Sequence, residues 1–252
     1  LARKDLLAFH GKTLVAGNIA LACFGDLSED QARNLAAAAF KRIPAGLRPA
    51  IEHAPPAQSL PARSERSARK EQAIFMAGAP GLDILDPRND SLLVLVEAMN
   101  GLSSDIMTRI RDKEGLAYFV NTFHQEGVEP GFVAVCAGTR SNALPKVESL
   151  VMDELARMAG QGPRPDEFER ARRQIRSARL AVLQTNGRLA RECATDELLG
   201  LGFDHSLKTV GRLEKLTPES VRETAASLFQ TNRIAISVVF PETPQPDKED
   251  AK

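Results

Sequence analysis

The sequence predicts an α+β fold, in which a mixed or antiparallel sheet carries helices packed mainly on one face. Short apolar runs of strand length alternate with longer segments in which apolar residues recur every three or four positions. Two of the runs, 118–125 and 132–139, are joined by residues 126–131, a hairpin-length connection that makes the two strands antiparallel. Further strands are predicted at 73–78 and 233–240.

The first fifty residues have the pattern helix, strand, helix. Residues 1–14 are helical in pattern, and residues 18–24 form an apolar run closed by Gly25. Ser28 is placed to cap the next helix, with Gln31 at the capping-box position. The predicted apolar face of that helix consists of Ala32, Leu35, Ala36, Ala39, Phe40 and Ile43.

Residues 51–72 are predicted to be a linker. Pro55, Pro56 and Pro61 lie there among small and basic residues, a composition typical of an extended segment. Its basic residues are interpreted as a solvated tether rather than as a site for an acidic partner. Residues 73–242 then form the main block, and residues 243–252 are a polar tail.

The main block contains several predicted helices. The clearest is residues 166–185, whose apolar positions are spaced by alternating steps of three and four. Thr217 caps the last helix and places Pro218 at its first position. The remaining predicted helices are residues 92–99, 144–158 and 188–199.

Composition excludes some classes of partner. The 33 basic residues balance the 33 acidic ones, which argues against nucleic acid or an anionic membrane as the main partner. No run of 18 or more apolar residues occurs, so the sequence predicts no membrane-spanning helix. We expect a soluble chain, periplasmic or cytoplasmic if bacterial. Its first residue is Leu1, as in a fragment or a processed product.

The segment from Gly101 to Tyr118 holds the candidate site. It is typical of a short helix that ends at Gly115 and runs into a strand, with Arg111 in the last helical turn and Tyr118 at the strand's start. We call residues 111–118 the corner, because the helix turns there into the strand. A guanidinium and a phenol at the two ends of this corner are suited to holding a peptide carbonyl or a carboxylate. The spacing alone favours a structural role, with Arg111 complementing the helix dipole and Tyr118 packing on the core.

The sequence predicts no metal site in this chain. The four histidines are His10, His53, His124 and His205, so none are spaced as paired ligands on a helix. Cys23, Cys136 and Cys193 are interpreted as small, buried apolar residues.

Three segments resemble the pitrilysin, insulinase and mitochondrial-processing-peptidase superfamily of zinc metallopeptidases. The first is Leu102-Ser103-Ser104 followed by Arg111-Asp-Lys-Glu-Gly-Leu-Ala-Tyr118; the others are the run from Asn18 to Asp26 and Pro165–Ala171. They occur in family order. The match is to the C-terminal half, which lacks the His-x-x-Glu-His motif that binds zinc in catalytic halves.

The resemblance implies a division of labour between two halves. This chain is expected to be the non-catalytic half, inactive alone, with no catalytic residues of its own and with Arg111 and Tyr118 as substrate-binding residues. Zinc is expected in a partner half, either upstream in the same polypeptide or in a separate subunit. Peptide is the expected substrate, and a dimer is left open.

The resemblance also bears on domains and on the alternative function. The run at 18–24 is similar to Asn232–Val239, which fits a family built from two related half-domains. Residues 1–50 are then the end of a preceding half-domain, and residues 73–242 the second one. The alternative function is an assembly or scaffold protein that keeps the peptidase fold without proteolysis.

Overall fold

The computed structural model describes residues 1–50, 63–101 and 104–242, and the side chain of Asp112 is not described. The predicted tail 243–252, residues 51–62 of the predicted linker and the pair Leu102 and Ser103 therefore lie outside the described residues.

A five-stranded mixed sheet forms the centre of the fold, as the sequence predicted. In spatial order the strands are β1, β5, β2, β4 and β3, so β1 and β3 are the edges. All neighbours are antiparallel except β1 and β5. The strands span β1 Arg63–Ala68, β2 Ala73–Pro80, β3 Ala117–Gln125, β4 Phe132–Thr139 and β5 Ala235–Pro241.

The helices agree closely with the sequence prediction. Both predicted caps are present, since Ser28 accepts from the N–H of Gln31 and Thr217 accepts from that of Ser220. The helices are α1 Arg3–Thr13, α2 Glu29–Phe40, α3 Asn89–Ala98, α4 Asp105–Met107, α5 Leu144–Gln161, α6 Pro165–Val182, α7 Asn186–Leu199, α8 Thr209–Leu213 and α9 Pro218–Leu228. A π-helical turn, Thr108–Lys113, continues α4.

The core lies between the sheet and the helices α3, α5 and α9. Alternate residues of β2 point into it, and Ala73, Phe75 and Ala77 are fully buried. From the helices, Val147 and Val221 are fully buried as well. Burial of a large apolar side chain contributes about 1.5–3 kcal/mol, so this layer holds the sheet in place.

The described residues fall into two compact units by their internal contacts. One comprises residues 1–50 and 176–214, and the other residues 63–101, 104–175 and 215–242. The sheet and its core lie in the second unit. The boundaries of the two predicted half-domains stay a prediction.

Two local predictions differ from the structure. The predicted strand 18–24 does not form; no described strand pairs with these residues, and Ile19, Leu21 and Phe24 are exposed. Cys23 in the same run, predicted to be buried, is exposed as well. Residues 63–68, assigned to the linker for their polarity, form β1 because their backbone pairs in parallel with β5. Ladder pairing, rather than composition, decides both cases.

None of the described helices is both long enough and apolar enough to cross a membrane.

Candidate functional site

Arg111 lies in the π-helical turn that continues α4. Ser104 begins this helix, because its hydroxyl accepts from the N–H of Met107 at 3.4 Å and donates to the carbonyl of Gly101 at 2.8 Å. Capping thus accounts for Ser104. The turn places Ile110 fully inside the core and Arg111 on the surface. A π-helical turn holds one residue more than an α-turn, and such turns are frequent at functional sites.

Gly115 ends the helix and turns the chain toward the sheet. Its φ of +58° lies in the left-handed region that glycine adopts without strain. The N–H of Gly115 donates to the carbonyl of Arg111 at 3.0 Å, and that of Leu116 donates to Ile110 at 2.8 Å. These bonds satisfy carbonyls at the helix end and fix the corner.

Tyr118 is the extra residue of a β-bulge at the start of β3. Ala117 pairs with Thr139 and Phe119 pairs with Gly138, so two steps along β3 correspond to one step along β4. The Tyr118 side chain is 67% exposed. Bulges redirect side chains and are over-represented beside active sites. Both predicted site residues therefore lie on one-residue insertions, one in a helix and one in a strand.

Neither functional group is engaged within the described part of the chain. No hydrogen bond or ion pair there involves the Arg111 guanidinium or the Tyr118 hydroxyl. Donors without internal partners in the described residues are available to an acceptor such as a carbonyl or carboxylate oxygen.

A network of ion pairs fixes the start of the helix that carries Arg111. The Asp105 carboxylate, in the first turn of α4, accepts from Arg164 at 2.6 Å, and this contact holds the pKa of Asp105 below its ordinary value. Arg164 also donates to Glu167 at 2.9 Å. Arg157 reaches the same Glu167 at 3.0 Å and binds Glu154 through two donors. The network therefore connects α4, α5 and α6.

No cluster of three or more His, Cys, Asp or Glu side chains in the described residues could hold a metal ion. His124 lies 3.0 Å from Glu126, and His205 lies 3.0 Å from Arg212. His10 is exposed on α1, and His53 lies outside the described residues. Glu192, on α7, accepts from Arg179 at 3.1 Å. The described residues therefore contain no group of side chains that fits a zinc site.

Sequence reasoning missed the residues that shape the corner. The bulge depends on a mismatch between two strands, which one strand alone does not reveal. Gly138 within the apolar run of β4 was the available signal, because a glycine inside a strand often marks a bulge or a close approach. The role of Thr139, buried opposite Ala117, had no comparable signal.

Comparisons with known proteins identify the family of this chain. A family described as the Peptidase M16 inactive domain matches residues 1–175, which include both Arg111 and Tyr118. An uncharacterized zinc protease of Streptomyces coelicolor is 29% identical over 245 residues, covering 92% of this chain and 52% of that protein. The uncharacterized zinc protease YmxG of Bacillus subtilis is 29% identical over 179 residues, covering 70% of this chain and 43% of that protein.

Solved structures show the same fold. A peptidase M16 inactive domain from Pseudomonas fluorescens matches 98% of this chain and 59% of its own, with a TM-score of 0.84 at 22% identity. A chain of complex III2 from Candida albicans matches 95% of this chain and 59% of its own, with a TM-score of 0.76 at 18% identity. The chain spans about half the length of the curated relatives it matches. It belongs to the Peptidase M16 inactive domain family.

Proposed function

We propose that this chain is the substrate-contacting half of a zinc peptidase and that a second, zinc-bearing half supplies the metal. The observation that carries the proposal is the corner itself. Arg111 and Tyr118 are exposed, lack internal partners in the described residues, and lie on a π-helical turn and a β-bulge. Such irregular backbone is retained where it directs side chains toward a function.

The two side chains supply donors that a peptide can use. The guanidinium presents five N–H donors in a fixed fork, and the phenol presents one O–H. Both suit the carbonyl oxygens of an extended peptide. They are also suited to stabilising negative charge that develops on a scissile carbonyl, because preorganised donors need no rearrangement during the reaction.

The relatives support the expectation of a second half. Those from Streptomyces coelicolor and Bacillus subtilis are named zinc proteases, and this chain covers about half of each. The zinc-bearing half lies upstream in the same polypeptide or in a separate subunit.

The surface of the first unit supports the same expectation. Neither α1 nor α2 contains a buried residue, and Leu6, Phe9 and Leu35 are each more than 60% exposed. An amphipathic helix is normally stabilised by packing of its apolar face. We infer that residues 1–50 pack against the zinc-bearing half as the end of its half-domain.

Kinetics of the assembled peptidase test the role of the corner. We expect Arg111→Ala and Tyr118→Phe each to lower kcat/KM by about 10²–10³-fold. This is the effect of removing one oxyanion donor, about 2.7–4 kcal/mol of transition-state stabilisation. Arg111→Lys should restore activity only in part, since lysine lacks the fork. Lys113→Ala is the matched control, because Lys113 is an exposed cation on the same turn.

Wild-type kcat/KM in both Arg111→Ala and Tyr118→Phe would overturn the proposed role of the corner. The alternative, an assembly or scaffold protein that keeps this fold, would then be favoured.

A further inference from the structure

The bulge at Tyr118 is held from the neighbouring strand β4. Gly138 pairs with Phe119 on one side of the bulge, and Thr139 pairs with Ala117 on the other. Two adjacent residues of β4 therefore face the two ends of the insertion. Neither was assigned a role by the sequence.

Gly138 leaves space that the side chain of Phe119 fills. A Cβ atom built on Gly138 would lie 2.9 Å from Cδ1 of the Phe119 ring and 2.8 Å from Nε2 of Gln72. Real Cβ atoms essentially never approach heavy atoms more closely than 3.0 Å. The Gln72 amide can move away, whereas the half-buried Phe119 ring would have to rotate or move together with the bulge backbone. Glycine is needed here for space, since its φ is not in the left-handed region.

Thr139 fixes the other end of the bulge. Its side chain is fully buried, and its hydroxyl donates to the carbonyl of Leu116 at 2.5 Å. The N–H of Leu116 in turn donates to Ile110 in the π-helical turn. Leu116 is thus held by β4 through its carbonyl and by the helix through its N–H. A buried hydrogen bond of this kind restrains the peptide on the N-terminal side of Tyr118.

We propose that Gly138 and Thr139 are positioning residues that set the direction of the Tyr118 side chain. Gly138 admits the Phe119 ring on the C-terminal side of the bulge, and Thr139 anchors Leu116 on the N-terminal side. Neither residue touches the substrate. The kinetic consequence rests on the proposed function of Tyr118, whereas the structural consequence does not.

Tyrosine fluorescence of the chain tests the structural part directly. Tyr118 is the only tyrosine and the chain has no tryptophan, so emission excited beyond the phenylalanine band reports this one side chain. We expect Gly138→Ala and Thr139→Val each to change the acrylamide quenching constant and the anisotropy of that emission. Gly160→Ala is the matched control, because an added Cβ there meets nothing within 4 Å.

A second substitution tests whether contact with the Phe119 ring causes the effect of Gly138→Ala. Phe119→Leu removes the ring edge that the new methyl group would meet, so Phe119→Leu/Gly138→Ala should recover more of the wild-type quenching than Gly138→Ala does. Thr139→Val keeps the side-chain shape and replaces only the hydroxyl with a methyl group, so it carries the test if Gly138→Ala does not fold. Wild-type quenching and anisotropy in the folded variants would overturn the proposal.

The assembled peptidase separates this proposal from the function of the corner. We expect kcat/KM to fall by roughly a hundredfold in Thr139→Val, the cost of misplacing a contact group by about 1 Å. Changed fluorescence in Thr139→Val, together with wild-type kcat/KM in both Thr139→Val and Tyr118→Phe, would overturn the proposed function and leave the positioning supported. Unchanged fluorescence overturns the positioning whatever Tyr118→Phe does.

Discussion

The Asn100 side chain bonds to both backbone groups of Thr122 on the edge strand β3. Its amide N–H donates to the Thr122 carbonyl at 2.5 Å, and its Oδ1 accepts from the Thr122 N–H at 2.8 Å. Asn100 follows α3, and its own carbonyl accepts from Arg170 at 3.1 Å. One side chain thus takes the place of a neighbouring strand and protects part of the sheet edge.

Asn100→Ala should destabilise the fold by about 2 kcal/mol, because two hydrogen bonds worth about 1 kcal/mol each are lost. The free energy of unfolding, measured in urea, gives the loss. Asn121→Ala is the matched control, since Asn121 is exposed on the same strand. Equal stability of the two variants would show that water replaces the Asn100 side chain without cost.

Arg157→Met should be strongly destabilising. Glu154 is 1% exposed, and the two donors of Arg157 are its only side-chain partners in the described residues. A buried carboxylate without its partner costs about 3–5 kcal/mol. The added substitution Glu154→Met should recover much of that loss, because a well-packed apolar pair replaces a buried ion pair at little cost.

The matched control for Arg157→Met is Arg222→Met on α9. Arg222 is paired with Glu219, whose side chain is 60% exposed. Exposed ion pairs contribute little to stability. Comparable unfolding midpoints for Arg157→Met and Arg222→Met would contradict the structural importance of the buried network.

The ion pair of Asp105 with Arg164 should make stability depend on acid pH. The hydrogen bond from Arg164 lowers the pKa of Asp105 in the folded protein. A lowered folded-state pKa adds stability above the unfolded pKa of about 3.9, and that stability is lost as pH falls through the folded pKa. Both side chains are more than one-third exposed, so the contribution at neutral pH is about 1 kcal/mol or less.

Asp105→Asn should therefore be less stable than the wild type at neutral pH and equally stable at strongly acidic pH. Urea unfolding across this range measures the difference. Asp166→Asn is the control, because Asp166 lies 3.7 Å from the same arginine and is 78% exposed. A gap between wild type and Asp105→Asn that does not close in acid would contradict the assigned ion pair.

Local patterns predicted most helices and strands, because apolar periodicity and helix caps can be recognised within short segments of sequence. Thr217 and Pro218 predicted the start of α9, and the apolar run at Phe132–Thr139 predicted β4 with its observed bounds. Such patterns could not predict which distant segments pair as strands. Residues 63–68 contain a single apolar residue, Ala68, and become a strand only through β5.

At the candidate site, too, the sequence predicted the local features and not those that depend on distant residues. Helix and strand patterns placed Arg111 and Tyr118 on either side of Gly115, and the family resemblance gave them a role. The bulge at Tyr118 depends on the register of β3 against β4, and the π-helical turn depends on how Ile110 enters the core. Neither feature has a periodicity that one segment displays.

The exposed apolar residues of α1 and α2 predict a difference between the isolated and the assembled chain. Leu6→Ser and Leu35→Ser should change the stability of the isolated chain by no more than about 0.5 kcal/mol, because both side chains are already exposed. Both should weaken association with the zinc-bearing half by about 1.5–3 kcal/mol, at least about tenfold in Kd. Calorimetric titration measures the association.

Leu85→Ser provides the comparison, since Leu85 is 62% exposed but lies in the second unit. It should change neither the stability nor the association. Unaltered association in Leu6→Ser and Leu35→Ser would show that this surface is not the contact between the halves.

Peptide hydrolysis by the two halves, assayed separately and together, tests the central claim most directly. The zinc-bearing half is taken from the same polypeptide or from the separate subunit, and each half is assayed over the same range of concentrations. We predict hydrolysis only when both halves are present, with a rate that saturates as this chain is added. Hydrolysis by this chain alone, or a rate of the zinc-bearing half that this chain leaves unchanged, would contradict the claim.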